Sequence, residues 1–276
     1  MYRALSAGAI KIKIEFAQTV ALAKKYEFAG VEIGLREIAE LGLAKAKAML
    51  GEAGLRVAGC HLPVNYKEDE AAYQRDMAEF PRFVEIAAAI GCDRVNTFIW
   101  PCSETLTFKQ NFHHHVNRLR PVAQMLADHG ARFGLEFLGP RSIRKGARYD
   151  FVYSMDAMLA LAAAIGDNTG LLLDCWHWQM AGHSVADLTK LQDFDIVYVH
   201  VNDAPPGLSS EQVVDTERFL PGETGVLDIA GFMGALEQVG YSGPVIVEPF
   251  SARLKALSPE QAVKETADSL AKIWRW

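Results

Sequence analysis

The sequence has few of the features that mark secreted, membrane or nucleic-acid-binding proteins. Its four cysteines show no CxxC spacing, which argues against a disulfide framework and against a structural zinc cluster. No apolar run approaches the about 18 residues of a membrane span, and the apolar stretch before Lys11 is too short for a signal peptide. There is no basic block, and the net charge is −6, so attraction to nucleic-acid phosphates is weak. We therefore expect a cytoplasmic protein that binds neither nucleic acid nor membrane.

What is present is a regular alternation of two kinds of segment. Hydrophobic residues make up 50% of the chain and charged residues 22%, as in a globular protein with a large core. Short β-branched runs alternate with segments of helical spacing, and no linker interrupts them. The predicted strands cover residues 3–7, 30–33, 56–61, 94–98, 132–137, 170–174, 196–201 and 244–248. The predicted helices cover residues 17–26, 38–52, 74–90, 112–129, 155–165, 185–191, 229–239 and 259–274.

The joints and the strand composition predict how these segments assemble. Several predicted helices are followed by a glycine that suits a left-handed C-cap: Gly54, Gly91, Gly130, Gly166 and Gly240. Near-continuous apolar strands, such as residues 171–173 and 245–247, are typical of parallel strands covered on both faces. Eight βα units predict the α/β class and one (β/α)8 barrel domain over residues 1–276, with a doubly wound open sheet as the alternative.

Four consecutive predicted strands end in a side chain that can bind a metal. Strands 5 to 8 end in Glu136, Asp174, His200 and Glu248. In a barrel, the C-terminal ends of the strands meet at one face. Burying such carboxylates without a partner would cost several kcal/mol, and a divalent cation removes that cost. The pattern predicts one divalent ion, and oxygen donors with one nitrogen suit Mn²⁺, Co²⁺, Mg²⁺ or Zn²⁺.

Such a site suits proton transfer next to a carbonyl group. A divalent ion that polarises a ketone oxygen acidifies the neighbouring C–H bond and stabilises the enediolate. Glu136 and Glu248, on strands 5 and 8, could face opposite sides of one sugar, so that one removes a proton and the other returns it. We expect an isomerase or epimerase that moves a proton next to the carbonyl of a sugar. Because the same enediolate could expel a β-substituent, a lyase or dehydratase remains an open alternative.

Other polar residues near strand ends are weaker candidates. His61 closes strand 3, where contact with substrate is favoured over core packing. Glu32 and Asn96, near the ends of strands 2 and 4, could contact substrate hydroxyls or make structural hydrogen bonds. The three histidines at 113–115 are consecutive on a predicted helix and point in three directions, so they are predicted to form a surface run and no metal site.

The tryptophans have two alternative roles each. Trp100, Trp176 and Trp178 follow strands 4 and 6, where they could supply an apolar wall for a sugar ring or pack on top of the barrel. Trp274 and Trp276 end the chain and predict a contact with the barrel or with a second subunit. A contact with a second subunit would make the protein a homo-oligomer.

The order of the strand-end residues resembles that of the xylose isomerase-like TIM-barrel superfamily, over essentially the whole chain. This superfamily includes inosose isomerases, ketose 3-epimerases, hydroxypyruvate isomerases, inosose dehydratases and endonuclease IV. The matching motifs are Glu136, Asp174-Cys175-Trp176-His177, His200-Val201-Asn202-Asp203, Arg218-x-x-Pro221-Gly222 and Glu248. The combination of Glu, Asp-x-x-His, His-x-x-Asp and Glu is similar to the isomerase and epimerase branch, which implies a ketose, an inosose or a similar keto-polyol as the substrate.

The resemblance also implies roles for individual residues. The four strand-end residues would hold one divalent metal, Glu136 and Glu248 would double as the acid/base pair, and the substrate oxygens would be bound by His177 and Arg218. The loop at residues 221–225 is one residue longer than the usual Pro-Gly-x-Gly. A nuclease like endonuclease IV would need three metals and more strand-end histidines, which the acidic balance also disfavours. A binding protein without turnover is a further alternative, which the two intact glutamates disfavour.

Overall fold

Eight parallel strands close into a barrel in the computed structural model of the protein, which describes residues 1–67 and 69–274. The strands are β1 (Tyr2–Leu5), β2 (Gly30–Ile33), β3 (Arg56–His61), β4 (Arg94–Ile99), β5 (Arg132–Phe137), β6 (Thr169–Asp174), β7 (Ile196–Val201) and β8 (Pro244–Val247). Each strand pairs with the next one, and β1 pairs with β8, which closes the ring. The predicted (β/α)8 barrel is confirmed, and the open sheet is wrong.

Helices surround the barrel and fill the connections between its strands. They are α1 (Phe16–Lys25), α2 (Leu35–Leu41), α3 (Leu43–Ala53), α4 (Glu70–Ile90), α5 (Phe108–Asp128), α6 (Arg141–Arg144), α7 (Met155–Ile165), α8 (Cys175–Met180), α9 (Val185–Leu188), α10 (Ile229–Gln238), α11 (Ala252–Lys255) and α12 (Pro259–Ile273). Two short segments, Cys102–Ser103 and Tyr149–Asp150, pair antiparallel outside the barrel. Within the described part of the chain, no helix combines the length and the apolar character that crossing a bilayer requires.

The local predictions fail at two glycines. The single helix predicted over 38–52 is divided into α2 and α3, because Gly42 adopts a φ of +94°, which is open to glycine and outside the helical region. Gly166 has a φ of 175°, so it is extended and does not form the predicted left-handed cap. The chain leaves α7 directly for β6, and the side-chain amide of Asn168 holds this joint by donating to the carbonyls of Ala123 and Ala131.

A small cluster of apolar side chains around Tyr198 fills the inside of the barrel. Tyr198 on β7 is completely buried and packs with Leu172, Ile246 and three alanines, Ala4, Ala9 and Ala58. A Cβ atom on Gly59 would come within 2.7 Å of the Tyr198 ring, so only glycine fits there. The Tyr198 hydroxyl donates to Glu32 at 2.8 Å. This layer closes the barrel beneath its C-terminal mouth.

Only part of the histidine run at 113–115 lies at the surface. His113 is exposed on α5, but His115 is buried, so the predicted surface run is wrong at that position. The reason is the helical register: α5 begins at Phe108 and turns His115 inward, where its ring stacks on Phe151 at a centroid distance of 4.9 Å. Of the two terminal tryptophans, Trp274 packs against the core of the barrel, as one of the two predicted contacts requires. Trp276 lies outside the described residues.

The buried imidazole of His115 is expected to make stability depend on pH. Burial lowers its pKa to about 4, whereas an unfolded histidine titrates near its ordinary value of about 6.5. The unfolded state therefore binds more protons between these values, and stability should fall by about 2 to 3 kcal/mol as the pH drops from about 7.5 to about 4.5. Urea unfolding at both pH values should show a smaller loss for His115→Gln than for the wild type. An exposed control, His113→Gln, should keep the full loss, and equal losses in all three proteins would contradict this account.

Candidate metal centre

Four side chains meet at the C-terminal mouth of the barrel. They are Glu136 near the end of β5, Asp174 at the end of β6, His200 near the end of β7 and Glu248 directly after β8. Each offers one ligand atom, and these atoms all lie within 4.8 Å of one another. The parallel register explains the convergence, because Asp174 pairs directly with His200, and the Glu248 backbone N–H donates to the Val201 carbonyl. One cation could contact all four residues.

The cluster contains buried polar atoms that lack a hydrogen bond. Nδ1 of His200 lies 3.5 Å from Oε1 of Glu136, 3.5 Å from Oε2 of Glu248 and 4.0 Å from Oδ2 of Asp174. Among the residues that the structure describes, neither His200 Nδ1 nor Glu136 Oε1 finds a hydrogen-bond partner. Such groups are rare in protein interiors because their desolvation is costly. A cation bound between these atoms would satisfy both, so the donor set fits a metal.

The electrostatics of the cluster also call for positive charge. Burial raises the pKa of Glu136, and the charges of Glu248 and Asp174 raise it further. Burial by itself would lower the pKa of His200, but the two glutamates outweigh it, and this pKa lies well above its usual range. The pKa of Glu248 is lowered in spite of its burial, because His200 and Arg218 are close. A divalent cation would supply this positive charge and leave His200 neutral, as a ligand must be.

Asp174 is completely buried, and its orientation is fixed by three other parts of the chain. Its Oδ1 accepts from the backbone N–H groups of Trp176 and His177 at 2.7 and 3.3 Å, where α8 begins. Its Oδ2 accepts from the amide of Asn202 at 3.0 Å and from Arg218 at 3.1 Å. The carboxylate is therefore held in place by the protein itself.

Arg218 enters the cluster from the loop after β7 and is buried there. Its Nη1 lies 3.1 Å from Asp174 Oδ2 and 3.3 Å from Glu248 Oε2. Its Nη2 lies 2.7 Å from Asp215 Oδ1 and 3.2 Å from His177 Nε2. Arg218 and His177 both line the cavity in front of the cluster, where they could contact a substrate. In the structure, each of them also lies within ion-pair distance of a carboxylate. Sequence reasoning missed Asp215, for which the only signal was an acidic residue three positions before the arginine.

The extra residue in the loop at 221–225 leaves Arg218 within reach of the cluster. Asp203, which ends the His-x-x-Asp motif, is completely buried and holds this loop. Its carboxylate accepts from the backbone N–H groups of Thr224, Gly225 and Leu227 at 2.8 to 3.0 Å. Asp203 therefore anchors the loop and does not belong to the cluster.

A cavity of about 410 Å³ opens in front of the cluster. The wall opposite the cluster includes the weaker candidates from strands 2, 3 and 4: Glu32, His61 and Asn96. His61 Nδ1 lies 3.3 Å from Asn96 Oδ1. Trp100 also lines the cavity, with 48% of its surface exposed, whereas Trp176 and Trp178 are buried. Of the three candidate tryptophans, only Trp100 forms part of the cavity wall.

The position of His61 leads to an expected result. His61→Ala should raise KM by about tenfold and change kcat by less than about threefold, because the imidazole lies in the wall away from the carboxylates and would bind the substrate without moving its proton. Steady-state kinetics with a substrate identified as below would measure both constants. His113→Ala, an exposed exchange on α5, serves as the matched control. A large loss of kcat with unchanged KM would show that His61 takes part in the chemical step.

Known proteins share the barrel fold of this chain and part of its sequence. A family model described as a xylose isomerase-like TIM barrel matches residues 20–273. The chain belongs to this family. An inosose isomerase of Halalkalibacterium halodurans is 28% identical over 209 residues, which cover 74% of this chain and 70% of that protein.

Two solved structures show the same fold. A xylose isomerase domain protein from Alicyclobacillus acidocaldarius superposes with a TM-score of 0.89 at 29% identity, over 99% of this chain and 98% of that one. An IolI protein solved with a zinc atom superposes with a TM-score of 0.83 at 19% identity, over the same shares of the two chains. At this lower identity, the second likeness shows the fold alone.

Proposed function

We propose that the protein is a divalent-metal-dependent isomerase or epimerase that moves a proton next to the carbonyl of a ketose, an inosose or a related keto-polyol. The observation that carries this proposal is the cluster of Glu136, Asp174, His200 and Glu248 in the wall of the cavity at the barrel mouth. The likeness to an inosose isomerase over most of both chains supports the substrate class. The family and the fold agree with it but do not choose the substrate.

The four cluster residues would hold the cation. When bound, the ion would polarise the carbonyl oxygen of the substrate and thereby acidify the neighbouring C–H bond. Three carboxylates and one imidazole suit Mn²⁺, Co²⁺, Mg²⁺ or Zn²⁺, and the zinc in the IolI structure shows that this fold can hold a metal.

The two glutamates would carry the proton. Glu136 lies on β5 and Glu248 directly follows β8, with β6 and β7 between these strands in the ring, so their carboxylates reach the cavity from different directions. One would remove the proton and the other would return it, as epimerisation requires. Arg218 would orient Glu248 through its ion pair, and its guanidinium would itself be held by Asp215. His61, in the opposite wall, would bind hydroxyl groups.

The origin of the hydrogen in the product tests this proposal. A proton held on a carboxylate exchanges with water, so product formed in D₂O should carry deuterium on the carbon next to the carbonyl. A hydride shift would instead carry the original hydrogen across. The metal-loaded protein would be incubated with ketoses, inososes and 3-keto-glycosides, and the product followed by NMR.

Three results of this experiment would count against the proposal. Product without deuterium, from an active preparation, would reject the proton transfer. An unsaturated product would assign the protein to the lyases. No reaction with any member of the panel would remove the support for an isomerase or epimerase of these sugars.

A further inference from the structure

A second cavity of about 300 Å³ adjoins the first on the β3 and β4 side of the mouth. It is lined mostly by the segment that follows β3: His61, Leu62, Pro63, Val64, Asn65, Tyr66, Lys67, Asp76 and Thr97. His61 and Thr97 line both cavities, so the two spaces meet at these side chains. No residue of the metal cluster lines the second cavity, and the proposed proton transfer does not use it.

The combined space is larger than one sugar ring requires. A six-carbon sugar fills roughly 200 Å³ at the packing density of a protein interior. The first cavity, at about 410 Å³, already exceeds this volume, and the second cavity, at about 300 Å³, would hold a further ring. The second cavity is more open to solvent than the first, so a site of this extent suits a substrate whose first ring lies in the deeper cavity and whose second ring-sized part lies nearer the solvent.

The second cavity suits an uncharged polar group. Among the described residues that line it, Lys67 can carry one positive charge and Asp76 one negative charge, and these charges balance. Both are engaged: Lys67 Nζ lies 3.1 Å from the centroid of the Phe98 ring, and Asp76 accepts from the Asn65 backbone at 2.9 Å and from Arg75, which lies outside the cavity lining, at 3.3 Å. Among the described residues, no arginine lines this cavity to bind a phosphate, which would also meet the Asp76 carboxylate, whereas hydroxyl groups can pair with either charge.

We propose that the second cavity is a subsite for a second, uncharged sugar unit, so that the substrate is a keto-disaccharide or a similar keto-glycoside. The keto ring would occupy the first cavity, and its substituent would extend past His61 and Thr97. This inference rests on the proposed function and narrows its substrate class.

The test compares a free keto-hexose with the same keto-hexose carrying a linked glucose. The metal-loaded wild type should show a kcat/KM at least about tenfold higher for the disaccharide. Asn65→Phe places a ring in the second cavity and keeps the backbone N–H that Asp76 accepts, so it should remove most of this preference. Asn117→Phe, the same exchange at an exposed position of α5 outside both cavities, should retain the preference. If Asn65→Phe does not fold, as judged by its thermal melt, the smaller Asn65→Leu takes its place.

Two outcomes would overturn the subsite. One is equal kcat/KM values of the wild type for the two sugars, and the other is a preference for the disaccharide that persists in Asn65→Phe. A higher kcat/KM for a phosphate ester of the keto-hexose, lost in Asn65→Phe, would make the cavity an anion site instead.

Failure of the proposed function would be recognised separately. If neither sugar reacts, calorimetric titration of the same proteins with both sugars would test the subsite by binding affinity, independently of the proposed reaction. Binding of the disaccharide at least about tenfold tighter than the monosaccharide, weakened in Asn65→Phe, would support the subsite, and equal binding would overturn it.

Discussion

Glu136→Gln and Glu248→Gln are each expected to lower kcat by about 10²- to 10⁴-fold, the range that acid/base groups contribute. An amide keeps the shape of the side chain and one oxygen, but it does not accept a proton at neutral pH. Because that oxygen can still contact a cation, metal content should fall much less than turnover. Steady-state kinetics and elemental analysis on the same preparations would separate the two effects.

The control for this experiment lies in the same cavity. Glu32 lines the opposite wall, and its two oxygens accept hydrogen bonds from Ser6 and Tyr198; glutamine keeps one acceptor oxygen, and its amide N–H can donate to the other hydroxyl oxygen. Glu32→Gln should therefore change kcat by less than about tenfold. Near-normal turnover in either Glu136→Gln or Glu248→Gln, with the metal retained, would contradict the assignment of the acid/base pair.

The second large effect concerns the metal. After reconstitution with Mn²⁺ or Zn²⁺, the wild type should hold about one equivalent per chain, and Asp174→Ala and His200→Ala should each hold far less. A cation that binds only the folded state at about 100 times its Kd adds about 2.7 kcal/mol to stability, so the ion should raise the Tm of the wild type and not that of the variants. Elemental analysis and thermal melts with and without the ion would measure both effects.

The two variants differ in what else they disturb. Asp174→Ala also removes the acceptor for Asn202 and Arg218, so its stability without metal should fall as well. His200→Ala removes a group whose Nδ1 lacks a hydrogen bond, so it tests metal binding more directly. His113→Ala, an exposed histidine on α5, should bind metal normally. Undiminished metal in both cluster variants would show that the cation is held elsewhere.

The barrel and the four-residue cluster could be predicted because both follow from short-range patterns. Apolar runs of four to six residues mark the strands, and in a closed parallel barrel every strand presents its C-terminal end at the same mouth. A polar residue at a strand end therefore has a predictable location without any knowledge of side-chain packing. Glu136, Asp174, His200 and Glu248 meet for this reason.

The contacts made by loops could not be predicted in this way. Asp215 reaches Arg218 and His177 because the loop after β7 folds back over the mouth, and Asp203 holds that loop through three backbone N–H groups. Such contacts join loop residues that follow neither the helical nor the strand period along the sequence. The break at Gly42 and the inward turn of His115 depend on the backbone angle of one glycine and on the residue at which α5 begins, which the helical period does not set.

The local pattern of the chain was thus sufficient for the order of the strands and for the chemical character of the mouth. The tertiary structure decided which of the tryptophans lines the cavity, how Arg218 is paired, and that a second cavity opens beside His61. The physical reason is that strand periodicity is set by backbone geometry over a few residues, whereas cavity shape results from the packing of side chains that are distant along the chain.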